Sequence, residues 1–251
     1  MHPSKTSPGT AGRNGYFICK FNTISSTQDE MKKILRQNVT VPPFSVIAAA
    51  VQTRGKGRMG RKWDAEKDKN ALFSFVTYPG LPPSDAFVLY QWAAVAVAES
   101  LREYTGVDAV IKYPNDILVN GKKIAGILID NLIGDNKIKY AVTGIGLNVN
   151  QKEFPEHLHA TSLVNETGKM TPPDIWIERI ISTYKKYLES GSREIFRQYV
   201  YLWDRAGAKK GIIFQNRPVA GEITAMKNDL IYIRTGRDIR EFPVRQSHAW
   251  I

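Results

Sequence analysis

The chain predicts an α+β fold ending in a small β-rich unit, and three observations carry that expectation. Apolar runs with strand character alternate with amphipathic stretches of helical period over residues 16–206. Asn120-Gly121 between two apolar runs marks a type I′ hairpin, hence antiparallel pairing within the main sheet. From about Gly207 the texture changes to brief β-like runs (210–214, 217–223, 230–234, 241–245) separated by Asn, Gly and Asp, the pattern of a small β-barrel. The expected division is a mobile tail at 1–15, a main domain at 16–206 and the barrel at 207–251.

The 251 residues, 43% of them hydrophobic, suffice for one sizeable core. A single cysteine, Cys19, excludes an intramolecular disulfide framework, and no apolar run approaches the roughly 18 residues of a membrane helix. The opening MHPSKTSPGTAGRNG contains no apolar signal region, so a reducing cytoplasm is the simplest compartment. Lys and Arg number 35 against 24 Asp and Glu, a formal +11, which asks for an anionic partner: nucleic acid, nucleotide or an acidic protein. No helix-turn-helix, zinc-finger or RNP motif is recognisable, and a winged-helix domain has no room before Tyr16.

Residues 16–21 read as a strand that runs into Ser25-Ser26-Thr27-Gln28-Asp29-Glu30. Ser26 with Asp29, or Thr27 with Glu30, fits a capping box, followed by the helical stripe Met31, Ile34 and Leu35. Capping alone explains the hydroxyls; a helix N-terminus that receives a polar or anionic ligand group explains them as well.

Residues 45–51 form the next strand, 71–78 its return, and between them lies Gln52-Thr53-Arg54-Gly55-Lys56-Gly57-Arg58-Met59-Gly60-Arg61-Lys62-Trp63. Three glycines permit tight turns with exposed N–H groups, and five cationic side chains accompany them, a combination suited to phosphates and carboxylates. The glycines match the spacing of the dinucleotide fingerprint, but the following KWDAEKDKN has no apolar helical face. A Walker loop is excluded because Arg61-Lys62, not Lys and then Ser or Thr, follows Gly60. A solvated basic turn is the bland alternative.

Residues 83–104 predict a long helix capped by Ser84 and ended by Gly106. The hairpin after it carries the second informative stretch, Lys112-Tyr113-Pro114-Asn115-Asp116 and Lys123-Ile124-Ala125-Gly126-Ile127-Leu128. Strand alternation puts Lys123 on the face of Ala125, Ile127 and Ile129, where an anion or an edge position would have to accommodate it. Asn115 and Asp116 form either an Asx turn or a polar pair offering amide hydrogen bonds and a hard oxygen for Mg²⁺. Gly126, and Gly144 and Gly146 in the strand at 139–149, leave room for a ligand against the backbone, or mark a bulge. His157 and His159 have no metal-site spacing and are expected in a surface loop. Two amphipathic helices, 172–187 and 193–203, complete the main domain.

Together these segments resemble the biotin protein ligase family. Ser26-Thr27, the Gln52–Trp63 loop for the family's G-R-G-R-x-G-R-x-W, Lys112–Asp116 for K-W-P-N-D, Lys123–Leu128 for K-x-A-G-I-L, and Gly144–Asn148 for G-x-G-x-N occur in the family's order and spacing. The resemblance implies a central mixed β-sheet flanked by helices with an SH3-like C-terminal barrel. It implies a monofunctional ligase without an N-terminal DNA-binding domain, which converts biotin and ATP to biotinyl-AMP with Mg²⁺. The biotin then passes to a lysine of a biotin carboxyl carrier domain of acetyl-CoA carboxylase type. No nucleic-acid or membrane partner is expected, and homodimer formation stays open.

Carried over by position, Ser26, Thr27, Gln28, Gln52, Lys56, Gly57, Arg58 and Lys123 would meet biotin, with Lys123 and Arg58 also at the reacting groups. Arg61, Trp63, Asn115 and Asn148 would meet the nucleotide, and Asp116 would help Mg²⁺. Lys56, Gln28 and Tyr113 depart from the family's usual Arg, Asn and Trp. Lipoate ligases share the chemistry but use an R-R-x-S-G-G-G loop absent here. A basic nucleic-acid-binding module using Trp63, Tyr113 and Phe73 for stacking is the rival of a different class.

Overall fold

The run Val46-Ile47-Ala48-Ala49-Ala50-Val51 is apolar at every position because both faces of its strand are covered. Val46 and Ala48 join one buried cluster, Ile47 and Ala49 the other. The structure, a computed structural model, describes residues 10–11, 16–37, 39–190, 192–204, 211–215, 217–227, 230–243 and 247–248.

In chain order the main body comprises β1 (Thr10–Ala11), β2 (Phe17–Ile24), α1 (Thr27–Leu35), β3 (Val46–Gln52), β4 (Asn70–Thr77), α2 (Phe87–Thr105), β5 (Ala109–Lys112), β6 (Asp116–Val119), β7 (Lys122–Gly134), β8 (Lys137–Asn148), α3 (Leu163–Thr167), α4 (Pro173–Ser190) and α5 (Ser192–Asp204). Its eight strands form one sheet in the order β1-β2-β3-β4-β8-β7-β6-β5. β2 and β3 are parallel, joined through α1, while the other neighbours are antiparallel, so the sheet is mixed. Helix α1 covers one face over β3, β4 and β8; α2, α4 and α5 cover the other.

Local chemistry accounts for most element ends. Ser26 caps α1, its Oγ accepting the Asp29 N–H at 3.4 Å, and Gly106 ends α2 at φ 74°. Asn120 and Gly121 have φ 50° and 76°, as a type I′ turn requires, and Val119 pairs with Lys122 across it. The helix expected at 83–104 is divided. A 3₁₀ turn spans Pro83–Asp85, α2 begins only at Phe87, and its N-cap Ala86 offers no side-chain acceptor. Ser84 donates instead to the Asp85 carboxylate at 3.2 Å, so the expected Ser84 cap does not form.

Within the stretch read as a mobile tail, Thr10–Ala11 pairs antiparallel with Phe17–Ile18; residues 1–9 and 12–15 lie outside the described residues. The C-terminal region contains β9 (Gly211–Phe214), β10 (Arg217–Ala220), β11 (Glu222–Lys227), β12 (Leu230–Thr235), β13 (Asp238–Pro243) and β14 (Ser247–His248). They form two three-stranded sheets, β10-β9-β14 and β11-β12-β13. Ile231, Ile233 and Phe242 are buried in the same cluster as the side chains of α2 and α5. The expected boundary at 206/207 falls outside the described residues.

Candidate active site

On the face covered by α1, β7 and β8 present glycine where the opposite face presents core residues. Ala125, Ile127, Ile145 and Leu147 are buried in the main cluster, and Gly126 stands directly opposite Gly146 in unbroken register. Gly144 and Gly146 therefore mark no bulge. A Cβ on Gly126 would lie 2.7 Å from Trp63 Cζ3, one on Gly146 2.7 Å from Trp63 Nε1, and one on Gly144 2.5 Å from Gln28 Oε1. The glycines form a floor, and the Trp63 indole lies on it with Nε1 buried and without a hydrogen-bond partner.

Lys123 reaches this floor through a β-bulge. Ile117 pairs with Ala125 but Leu118 pairs with Lys123, which leaves Ile124 as an extra residue. Both Ile124 and Ala125 consequently face the core, whereas Lys123 lies over Gly126, 3.2 Å from where its Cβ would be. This corrects the expectation from alternation, which placed Lys123 with Ala125 and Ile127. Lys123 Nζ pairs with Asp116 Oδ1 at 2.8 Å and sits 5.2 Å from the Trp63 ring centroid. The ammonium is half-buried between the Asp116 carboxylate and the Trp63 ring.

The glycine-rich loop folds back on itself. Gly57 N–H donates to Arg61 O at 2.7 Å and Trp63 N–H to Gly55 O at 3.0 Å, with Lys56 bridged to Lys62. Gly57 thus spends its N–H within the loop, contrary to the expectation of an exposed donor. Gly55 is required because a Cβ there would collide with Trp63 O. Side-chain contacts dock the loop through Lys56 Nζ to Asp29 Oδ2 at 2.7 Å and Arg58 Nη1 to Asn115 Oδ1 at 3.2 Å, beside backbone bonds from Thr53 N–H to Ile24 O and Arg54 N–H to Ser25 O. Burial raises the Asp29 carboxyl, but Lys56 and Lys32 outweigh it and hold it below the usual carboxylate value. The Arg58 guanidinium also lies 5.7 Å from the centre of the Tyr90 ring. The cavity above the loop is about 850 Å³ and is lined by Lys32, Arg54, Lys56, Arg58, Arg61 and Lys62 against Asp130. A second cavity of about 540 Å³, between the end of α2 and α4, shares no residue with it. The converging cations make the first the candidate anion-binding cavity.

The other sequence-predicted residues lie outside the lining of this cavity, in two groups. Gln52 Oε1 accepts from Thr27 N–H at 2.8 Å, and Ser26, Thr27 and Gln28 are buried at the start of α1. Asn115 is braced by its Nδ2 on Ile127 O at 2.8 Å, and Asn148, buried, donates its Nδ2 to Thr161 O at 2.9 Å. Arg61 is exposed. His157 and His159 are exposed, and among the described residues no three His, Cys, Asp or Glu form a metal cluster.

The sequence model of the biotin/lipoate A/B protein ligase family matches residues 21–148, from β2 to the end of β8. The chain belongs to the biotin/lipoate A/B protein ligase family. Every sequence-predicted site residue, from Ser26 to Asn148, lies within the matched span. The chain is 31% identical over 211 residues to the bifunctional ligase/repressor BirA of Bacillus subtilis, covering 82% of this chain and 64% of that protein's length. It is 34% identical over 124 residues to the biotin–[acetyl-CoA-carboxylase] ligase of Mycobacterium tuberculosis, covering 48% of this chain and 45% of the other. The biotin protein ligase of Aquifex aeolicus, solved with biotin and ATP, superposes with a TM-score of 0.69 at 26% identity, covering 92% and 97% of the two chains. Sequence reasoning did not single out Asp29 and Tyr90, which meet the loop through Lys56 and Arg58, or Ser74, which meets Thr27. In the sequence Asp29 reads only as a capping partner, and Tyr90 falls within the helix predicted at 83–104. Ser74 is visible in the sequence as a hydroxyl between two phenylalanines of β4.

Proposed function

We propose that the chain is an ATP-dependent biotin protein ligase that forms biotinyl-AMP and then transfers biotin to a lysine of a biotin carboxyl carrier domain. The observation that carries this reading is the bulge-directed Lys123, set over the Gly126–Gly146 floor beside the cationic loop. In the first step a biotin carboxylate oxygen attacks the α-phosphorus of ATP, the bond to the bridging oxygen breaks and pyrophosphate leaves. Bringing a carboxylate to a triphosphate requires fixed positive charge at the developing phosphorane, which Lys123 and Arg58 supply without reorganisation. In the second step the acceptor ε-amine attacks the mixed anhydride, AMP leaves and the amine loses a proton.

Ser26, Thr27, Gln28, Gln52, Lys56 and Gly57 are assigned to the biotin side. Arg61, Trp63, Asn115 and Asn148 are assigned to the nucleotide; Asn148, with Nδ2 on Thr161 O, keeps Oδ1 to accept from the adenine amino group. The donor set near Asp116 fits a Mg²⁺ delivered by the triphosphate, since one carboxylate with one oxygen on Lys123 cannot cage the ion alone. When bound, Mg²⁺ would neutralise phosphate charge there. The excess of basic residues is assigned to nucleotide and to an acidic carrier domain. The division into a tail, a catalytic domain at 16–206 and a C-terminal SH3-like unit is part of the same reading, as is a cytoplasmic location; no helix among the described residues is long and apolar enough to cross a membrane.

The test is pyrophosphate release from ATP and Mg²⁺ with biotin, lipoate or neither, followed by mass spectrometry of an added carrier domain. Biotin-dependent release and one biotinyl addition are expected. Release with lipoate alone would change the substrate, and none with either acid would remove the adenylation reading.

A further inference from the structure

Glu166 of α3 lines the second cavity rather than the cationic one, yet its carboxylate ties together two segments that flank Lys123. Oε2 accepts from Asn120 Nδ2 in the hairpin turn at 2.7 Å, and Oε1 accepts from Thr161 Oγ1 at 2.5 Å. The helix does not need this carboxylate for its own start, because Ser162 caps it by accepting the Asn165 N–H. Thr161 is buried, and its backbone serves the site twice. Its carbonyl accepts from Asn148 Nδ2 at 2.9 Å, and its N–H donates to Lys123 O at 2.9 Å. Lys123 N–H in turn donates to His159 O at 2.8 Å. The pairing of β8 with β7 stops at Leu147 and Ala125, so residues 159–161 return to fill the place beside Lys123 that β8 leaves open, with Ala160 bridged to Lys123. Glu166 thus fastens this returning segment to the turn of the β6–β7 hairpin.

We infer that Glu166 is a positioning residue for the nucleotide: it clamps Thr161 to the hairpin turn, and the Thr161 carbonyl in turn fixes the Asn148 amide that meets ATP. The inference rests on the ligase reading, in which Asn148 serves the nucleotide, and adds the residue that holds Asn148 in place through Thr161. Without the carboxylate a buried threonine hydroxyl loses its acceptor, and the segment that carries the carbonyl is free to shift. Lys123 is held by its pairing with Leu118 as well, whereas the Asn148 amide has Thr161 O as its partner among the described residues. The remaining biotin-side residues stand at the start of α1, at Gln52 and in the glycine-rich loop, on other segments of the chain. Loss of the clamp should therefore weaken ATP more than biotin.

The test measures the KM for ATP and for biotin in biotin-dependent pyrophosphate release by the wild type, Glu166→Ala, Thr161→Val and Glu166→Gln, with folding checked by thermal melting. In Glu166→Ala and in Thr161→Val the KM for ATP should rise about fivefold or more while that for biotin stays within about twofold. Glu166→Gln should bring ATP back to within about twofold of the wild type, since its Oε1 can accept from Thr161 and its Nε2 can donate to a turned Asn120 amide. A merely structural role would weaken ATP and biotin together, which would overturn the assignment; so would an unchanged KM for ATP. Either of the first two variants, once shown to be folded, suffices. A wild type that releases no pyrophosphate with biotin would instead remove the ligase reading itself, an outcome distinct from failure of the Glu166 clamp alone.

Discussion

Lys123 and the glycines beneath it show how little chemistry a site residue can do without its neighbours. Lys123 can lie against the strand because Gly126 carries nothing larger than hydrogen, and the Trp63 indole shares the space that the glycines leave. Lys123→Ala is expected to keep the fold and to lower biotin-dependent pyrophosphate release by at least about a hundredfold, in the range seen when a fixed transition-state charge is removed. Circular dichroism with a pyrophosphate assay checks both halves, and unchanged release would take Lys123 out of its role. Gly146→Ala tests the floor itself. Its new methyl would collide with the Trp63 indole, so the ring should leave the glycine floor. The tryptophan emission should shift to the red by comparison with a Trp63→Phe control, and ATP turnover should fall. A variant with native emission would show that the ring does not rest there.

The β6–β7 hairpin and the glycine-rich loop carry the site as elements. Periodicity assigned Lys123 to the core face because alternation is the default of an unbroken strand. A single extra residue, Ile124, reverses that assignment, and a bulge leaves no mark in an apolar sequence. The loop was legible as cationic and flanked by strands. Its docking was not, since Asp29 lies 27 residues from Lys56. That latch has a pH dependence with a definite sign. The folded Asp29 carboxyl lies below its unfolded value, so its contribution is fully present above the ordinary Asp value of about 3.9 and is lost as pH falls through the lower folded value. Protease cleavage within residues 54–62 should therefore stay flat from neutral pH to about pH 4 and rise only below it. Asp29→Asn should raise cleavage at neutral pH; equal cleavage in variant and wild type would show that Lys56 is not held there.

For the molecule as a whole, the formal +11 charge predicts that carrier modification weakens with salt. Raising ionic strength from about 0.05 to 0.5 M should raise the KM for an acidic carrier several-fold and change the KM for biotin much less. A carrier KM insensitive to salt would assign the charge elsewhere. The C-terminal sheets enter the same accounting of the whole, since Ile231, Ile233 and Phe242 share the core of α2 and α5. The sequence alone was enough for the order of the main domain's strands and helices apart from β1 and α3, the capped start of α1, the Asn120-Gly121 turn and the types of chemical group in the candidate site. These rest on residues close in sequence, where spacing and backbone preference act directly. Tertiary structure decided which side of the sheet Lys123 serves, that Asp29 pairs with Lys56 of the loop, that Trp63 lies on paired glycines, and that Ser74 meets Thr27 from 47 residues away. Such contacts form only when strands distant in sequence pair and set their register, and neither local spacing nor composition contains that information.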